Sequence, residues 1–97
     1  MDRKQAIHSL LNVIAFELLQ FIKESESSFK DRWVPSTYIK EKLELNFISV
    51  PVGNKQYGEK GWFFAIVARM LEDQKLVQYK KVGSRAFYRS VGPRLRK

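Results

Sequence analysis

Between Arg3 and Glu24 apolar residues return every three or four positions: Ile7, Leu10, Leu11, Ile14, Leu18, Phe21 and Ile22. That spacing predicts one long amphipathic helix over 3–24. Val13, Phe16 and Leu19 add a second apolar flank, wider than one surface helix needs. The polar stretch "ESESSFKD" then reads as a loop. A second helix is predicted in "WVPSTYIKEKLEL", where Pro35 sits at a point at which a helix can begin but not continue. Ser36 or Thr37 can supply its N-cap oxygen, and Ile39 and Leu43 define a narrow buried stripe. In "NFISVPVGNKQYGE", Pro51 allows at best an edge strand, and Gly53 and Gly58 mark turns. The third helix, within "EKGWFFAIVARMLEDQK", is apolar nearly all round. One stripe is Phe64, Val67, Ala68 and Leu71, another Phe63, Ile66 and Met70. Arg69, Glu72 and Asp73 give the only polar edge, so most of the surface must be covered.

The pattern then changes period. "VQYKKVGSRAFYRS", Val77 to Ser90, alternates as two strands around a turn. Pairing across Gly83-Ser84, or across the longer loop Val82–Arg85, gives one and the same register. Val77, Tyr79, Ala86 and Tyr88 share one face, predicted to pack inward. Gln78, Lys80, Arg85, Phe87 and Arg89 share the other, which puts Phe87 outward; a slip of one residue would bury Phe87 and expose Tyr88.

Charge sharpens this picture. The chain has 97 residues and a net charge of +8. From Met1 to Gln74 there are ten basic and ten acidic residues, whereas Lys75 to Lys97 holds eight basic residues and no acid. The excess therefore lies wholly on the hairpin and on the basic tail 92–97. A localised basic block with interleaved aromatics is the footprint of a polyanion partner. For the tail alone, a solubilising role suffices.

Length and composition predict one domain over 1–97, with no internal repeat, the hairpin spanning 75–91. An apolar fraction of 44% with 29% charged residues is that of a globular chain. No apolar run reads as a membrane span and no signal design opens the chain, so no membrane partner is expected. Cysteine is absent, which excludes disulfides and thiolate metal sites and fits a reducing, cytoplasmic setting.

The order helix, helix, helix, hairpin resembles the winged helix-turn-helix fold, an α+β class. "MLEDQKLVQYKKVGSRAFYRS" is similar to the helix-end-plus-wing segment of ArsR-type and MarR-type regulators. Leu71, Leu76, Val77, Gly83, Arg85, Phe87, Tyr88 and Arg89 occupy the places of that pattern, which covers 62–90 well and 33–45 loosely. The resemblance implies a double-stranded DNA partner, the third helix in the major groove and the wing along the phosphates. It implies DNA-binding roles for Lys80, Lys81, Arg85, Phe87 and Arg89, and a small transcriptional regulator or an accessory module of a DNA-processing system. The sequence departs from the pattern in its long link between the second and third helices. It departs also in the apolar outward face of the third helix, where base readout is left to Arg69, with Asn54, Lys55, Gln56 and Lys60 just before it.

Other chemistry is thin. "GNKQYGEKG" has the spacing of a phosphate loop, but Glu59 stands where that loop needs Lys. Turn glycines before a helix are the plainer reading. His8 is the only histidine and has no companion ligand. Glu41, Glu44, Glu72 and Asp73 are read as helix-surface carboxylates, and Ser25, Ser27 and Ser28 as loop. No enzyme and no cofactor is expected. Two alternatives stay open. The apolar third helix can dock a protein partner, or "FISVPV" can fold over Phe63, Ile66 and Met70. The extra flank of the first helix can support a homodimer, or be covered within the monomer by 47–52.

Overall fold

The computed structural model describes residues 2–46, 48–49, 56–57 and 59–91, with the backbone alone at 48–49 and 56–57. The element order is α1 (Arg3–Ser25), β1 (Val34–Pro35), α2 (Ser36–Lys42), β2 (Ile48–Ser49), β3 (Gln56–Tyr57), α3 (Trp62–Asp73), β4 (Val77–Val82) and β5 (Arg85–Ser90). This is a three-helix winged helix-turn-helix: an α+β fold whose hairpin β4–β5 forms the wing.

α1 starts where Asp2 Oδ1 accepts from Gln5 N at 2.8 Å, satisfying one of the orphan first-turn donors. It ends as Ser25 Oγ donates back to Phe21 O at 2.8 Å and the chain tightens into a 3-10 turn at Glu26–Ser28. A second turn, Lys30–Arg32, carries left-handed φ values at Asp31 (53°) and Arg32 (65°). These reverse the chain into β1.

α2 begins at Ser36, but its N-cap is Pro35 and no side chain caps it. The Ser36 or Thr37 cap read from sequence is thus replaced: β1 runs directly into the helix, and Ser36 is already inside it and buried. α2 and α3 stop in the same way. Leu45 N donates to Lys40 O at 2.7 Å and Leu76 N to Leu71 O at 2.9 Å, with Glu44 (φ 54°) and Lys75 (φ 62°) in the left-handed position usually given to glycine. At the start of α3, Gly61 takes φ 78° and its N–H donates to Asn46 O at 2.6 Å. That bond ties the long connection back to the end of α2. Most of "FISVPV", including 47 and 50–52, lies outside the described residues, but Ile48–Ser49 pairs antiparallel with Gln56–Tyr57.

The main sheet has the order β1-β5-β4. Tyr79 faces Tyr88, Lys80 faces Phe87 and Val82 faces Arg85, the register read from the alternation. Gly83, at the first central position of the two-residue turn, adopts φ 63°, as hairpin turns of this length require. Val34 pairs with Tyr88 and Pro35 with Phe87, so the proline sits on an edge strand, where its missing N–H costs nothing.

The core joins Ala15, Leu18, Leu19 and Ile22 of α1 to Phe64, Val67, Ala68 and Leu71 of α3, with Ile39, Val34, Val77 and Tyr88 closing it. Ile22, Ile39, Val34, Val67 and Leu71 are fully shielded. Each such side chain stabilises the fold by about 1.5–3 kcal/mol. The stripe Phe64-Val67-Ala68-Leu71 is buried as its spacing predicts, whereas of the second stripe Ile66 is exposed and Phe63 and Met70 are half-buried.

Only the C-terminal half of α1 is covered. Ile7, Leu10, Val13, Ile14 and Phe16 are all exposed, Leu10 by 62%. Of the extra flank read from sequence, Leu19 is buried in the monomer and Val13 and Phe16 are not. One expectation is corrected here: Arg3–Ser28 is long and apolar enough to cross a membrane, by length and composition alone. His8, Ser9, Asn12, Glu17 and Gln20 interrupt the apolar residues, so no unbroken run shows in the sequence while the average stays high. In this fold the C-terminal half of the same helix packs on α3 and β5.

Candidate nucleic-acid interface

The alternation of β4 and β5 decides which side chains meet. Tyr88 and Val77 turn to the core, so Gln78, Lys80, Arg85, Phe87 and Arg89 face outward together. Trp33, one residue before β1, joins them at the open edge of that face. The Arg89 guanidinium lies 4.2 Å from the Trp33 ring centroid, and Lys80 Nζ lies 4.6 Å from it. Lys80 Nζ is also 5.7 Å from the Phe87 ring, and the Arg85 guanidinium covers Phe87 at 5.7 Å. All four are within cation–π range, worth about 0.5–1 kcal/mol each where solvent reaches.

Arg89 is held in place. Its Nε donates to Gln78 Oε1 at 2.7 Å and its Nη1 to the Asp31 carbonyl at 2.9 Å. The left-handed turn at Asp31 is therefore tied directly to the wing. Phe87 faces outward as predicted, but it is half-buried under Lys80 and Arg85 rather than bare.

The other candidate residues are placed apart from this cluster. Lys81 is exposed on the opposite face of β4, opposite Ala86. Arg69 is exposed on α3, and its Nε donates to Asp73 Oδ1 at 3.3 Å, an i,i+4 ion pair. It lines a groove between α3 and the inner side of the wing together with Ala65, Glu72 and Tyr79. Lys60 is exposed in the turn before α3. Gln56 lies in β3, and Asn54 and Lys55 lie outside the described residues. The candidates thus divide between two sides of the sheet, a division the sequence-based grouping did not contain.

Three residues that matter escaped the sequence reading. Trp33 is one. The other two are Glu26 and Arg32, which lock the root of the wing. Glu26 Oε2 accepts from Ser90 N at 2.5 Å, and Glu26 Oε1 accepts from Arg32 Nη1 at 3.1 Å. Arg32 Nη1 also donates to Ser90 O at 3.3 Å. Inside the sheet, burial, with Tyr79 and Glu72 adding to it, pushes the Tyr88 phenol up to about 12. Among the described residues no group of three or more His, Asp or Glu side chains could hold a metal ion. No family model, no curated protein and no solved structure matches the chain.

Proposed function

We propose that this chain is a non-enzymatic winged-helix DNA-binding protein that holds its ligand chiefly by the phosphate backbone, through the wing. The observation that carries this reading is the outward face of β4–β5, where Lys80, Arg85 and Arg89 stand together with no acid on either strand. The similarity of the wing segment to ArsR-type and MarR-type regulators supports it and gives the role of a small regulator or accessory module. Backbone contacts of this kind supply affinity without sequence information. α3 contributes little charge, since Arg69 is engaged with Asp73.

The test is a salt series of binding to random duplex DNA. Lys80 and Arg85 are the residues to neutralise, because Arg89 also braces Asp31 and its loss would disturb the fold. Changing both to Gln should flatten the slope of log affinity against log salt by roughly two units, equally for all duplex sequences. Absence of salt-dependent binding in the parent protein would overturn the reading and leave α3, with Ile66 exposed, as a protein-docking face.

The exposed half of α1 favours self-association as part of this function. An antiparallel pair of α1 helices centred between Leu10 and Leu11 sets Ile7 of one copy against Ile14 of the other. The same register brings Arg3 and Lys4 beside Glu17 of the second copy. Apolar and charged positions are thus self-complementary, as a two-fold interface requires.

A further inference from the structure

The outer face of the sheet carries more than charge. Pro35 lies opposite Phe87, and Trp33 precedes β1 on the same side, so an apolar strip crosses the basic face. Shallow depressions flank it. One is lined by Phe29, Trp33, Pro35, Lys80 and Phe87, the other by Trp33, Gln78, Lys80 and Arg89, with Asp31 and Glu72 at their rims. A purely solvated basic face has no physical reason to keep two aromatic rings among its cations. A purely structural pair would be buried, and neither ring is.

This side also looks away from α3, because the residues between them, Val77 and Tyr88, point into the core. What the strip offers is two planar rings with the cations of Lys80, Arg85 and Arg89 beside them. Planar bases stack on aromatic rings whatever their identity, while neighbouring cations meet the phosphates between them. Paired bases hide their faces inside the duplex, so only unpaired ones can use the platform.

We propose that the outer face of the β1-β5-β4 sheet is a stacking platform for the unpaired bases of single-stranded nucleic acid. Trp33 and Phe87 supply the faces, Lys80 and Arg85 meet the phosphates, and Arg89 with Gln78 holds Trp33 in place. The inference rests on the wing being a nucleic-acid-binding surface, and it names what that surface prefers.

Trp33 reports on its own platform once Trp62 is replaced, so the test uses Trp62→Phe protein and three probes. These are oligothymidylate, an abasic phosphodiester oligomer of equal length, and a blunt duplex. Oligothymidylate should quench Trp33 fluorescence and bind at least about five-fold more tightly than the abasic oligomer, the lower end of one base–aromatic stack. Phe87→Ala should shrink that preference while leaving affinity for the abasic oligomer and its salt slope unchanged. Fluorescence anisotropy of labelled oligomers on the unaltered protein reads the same preference if Trp62→Phe fails to fold. Equal affinity for thymidylate and abasic oligomers, with duplex binding still steeply salt-dependent, would overturn the platform and spare the backbone-binding reading. Binding to none of the three would overturn both.

Discussion

Replacing Glu26 with Ala should destabilise the protein by about 2–3 kcal/mol although it lies far from the wing tip. β1 ends at the pair Val34–Tyr88, so two positions further on the Ser90 N–H has no strand to bond with. The Glu26 carboxylate takes the place of the missing backbone acceptor, at 2.5 Å, with Ser90 only 4% exposed and Glu26 8% exposed. Losing that acceptor strands a buried donor, at about 1–3 kcal/mol. The ion pair to Arg32 adds less, because the Arg32 side chain is 47% exposed and solvent screens it; about 0.5–1 kcal/mol is reasonable.

Urea denaturation measures the difference directly. In a domain of this size the same loss lowers the melting temperature by roughly 10–20 °C. Glu26→Gln is the informative control, since its amide oxygen can still accept from Ser90 N while the charge is gone. It should cost about 1 kcal/mol. An Ala variant within about 0.5 kcal/mol of the parent would refute the reasoning, for it would mean that water reaches Ser90 N. A Gln variant as unstable as the Ala variant would show that charge, rather than the backbone acceptor, holds the wing root.

Tyr88 gives a pH signature: its phenol ionises near 10 when unfolded and only at about 12 when folded. Above pH 10 the unfolded chain therefore holds fewer protons than the native one, so stability should fall between pH 10 and 12, by roughly 2–3 kcal/mol from this group. Tyr88→Phe should remove that part of the fall in denaturation curves, and an unchanged fall would discard the assignment. For α1, Leu10→Asp should convert a dimer to a monomer in sedimentation at micromolar concentration without loss of stability, since Leu10 is exposed. A parent protein that sediments as a monomer would end the self-association proposal.

The periodic elements were legible because their patterns are long or allow a single solution. α1 and the inner stripe of α3 repeat over several turns, and the hairpin alternates so strictly that both candidate loops give one register. β1 was not legible, being two residues long with a proline, too short for a period of two to register. Everything that depends on β1 was lost with it. Trp33 read only as the lead-in to the second helix, yet the strand pairing sets it beside Arg89 and Lys80. Glu26 looked like one acid in a serine-rich loop, because its role is to replace a backbone acceptor that only the three-dimensional edge of the sheet reveals.

The division of cations between the two sides of the sheet bears on what kind of recognition this fold performs. On α3 the exposed positions Ala65 and Ile66 offer only apolar contact, and Arg69 is balanced by Asp73 with Glu72 alongside. A groove-reading helix needs donors and acceptors to tell base pairs apart, each good bidentate contact supplying about 1–3 kcal/mol of discrimination. α3 has no such set among its described residues, so placing it in a major groove would yield fit but little choice. On the proposed reading the wing has the opposite character, its cations meeting phosphates and its aromatic faces accepting any base. A protein that worked this way would distinguish nucleic acids by form, paired or unpaired, bent or straight, and not by sequence. Its selectivity therefore depends on the rigid placement of Trp33 against Arg89, and so on the short edge strand and the Glu26 lock that fix the sheet at that end.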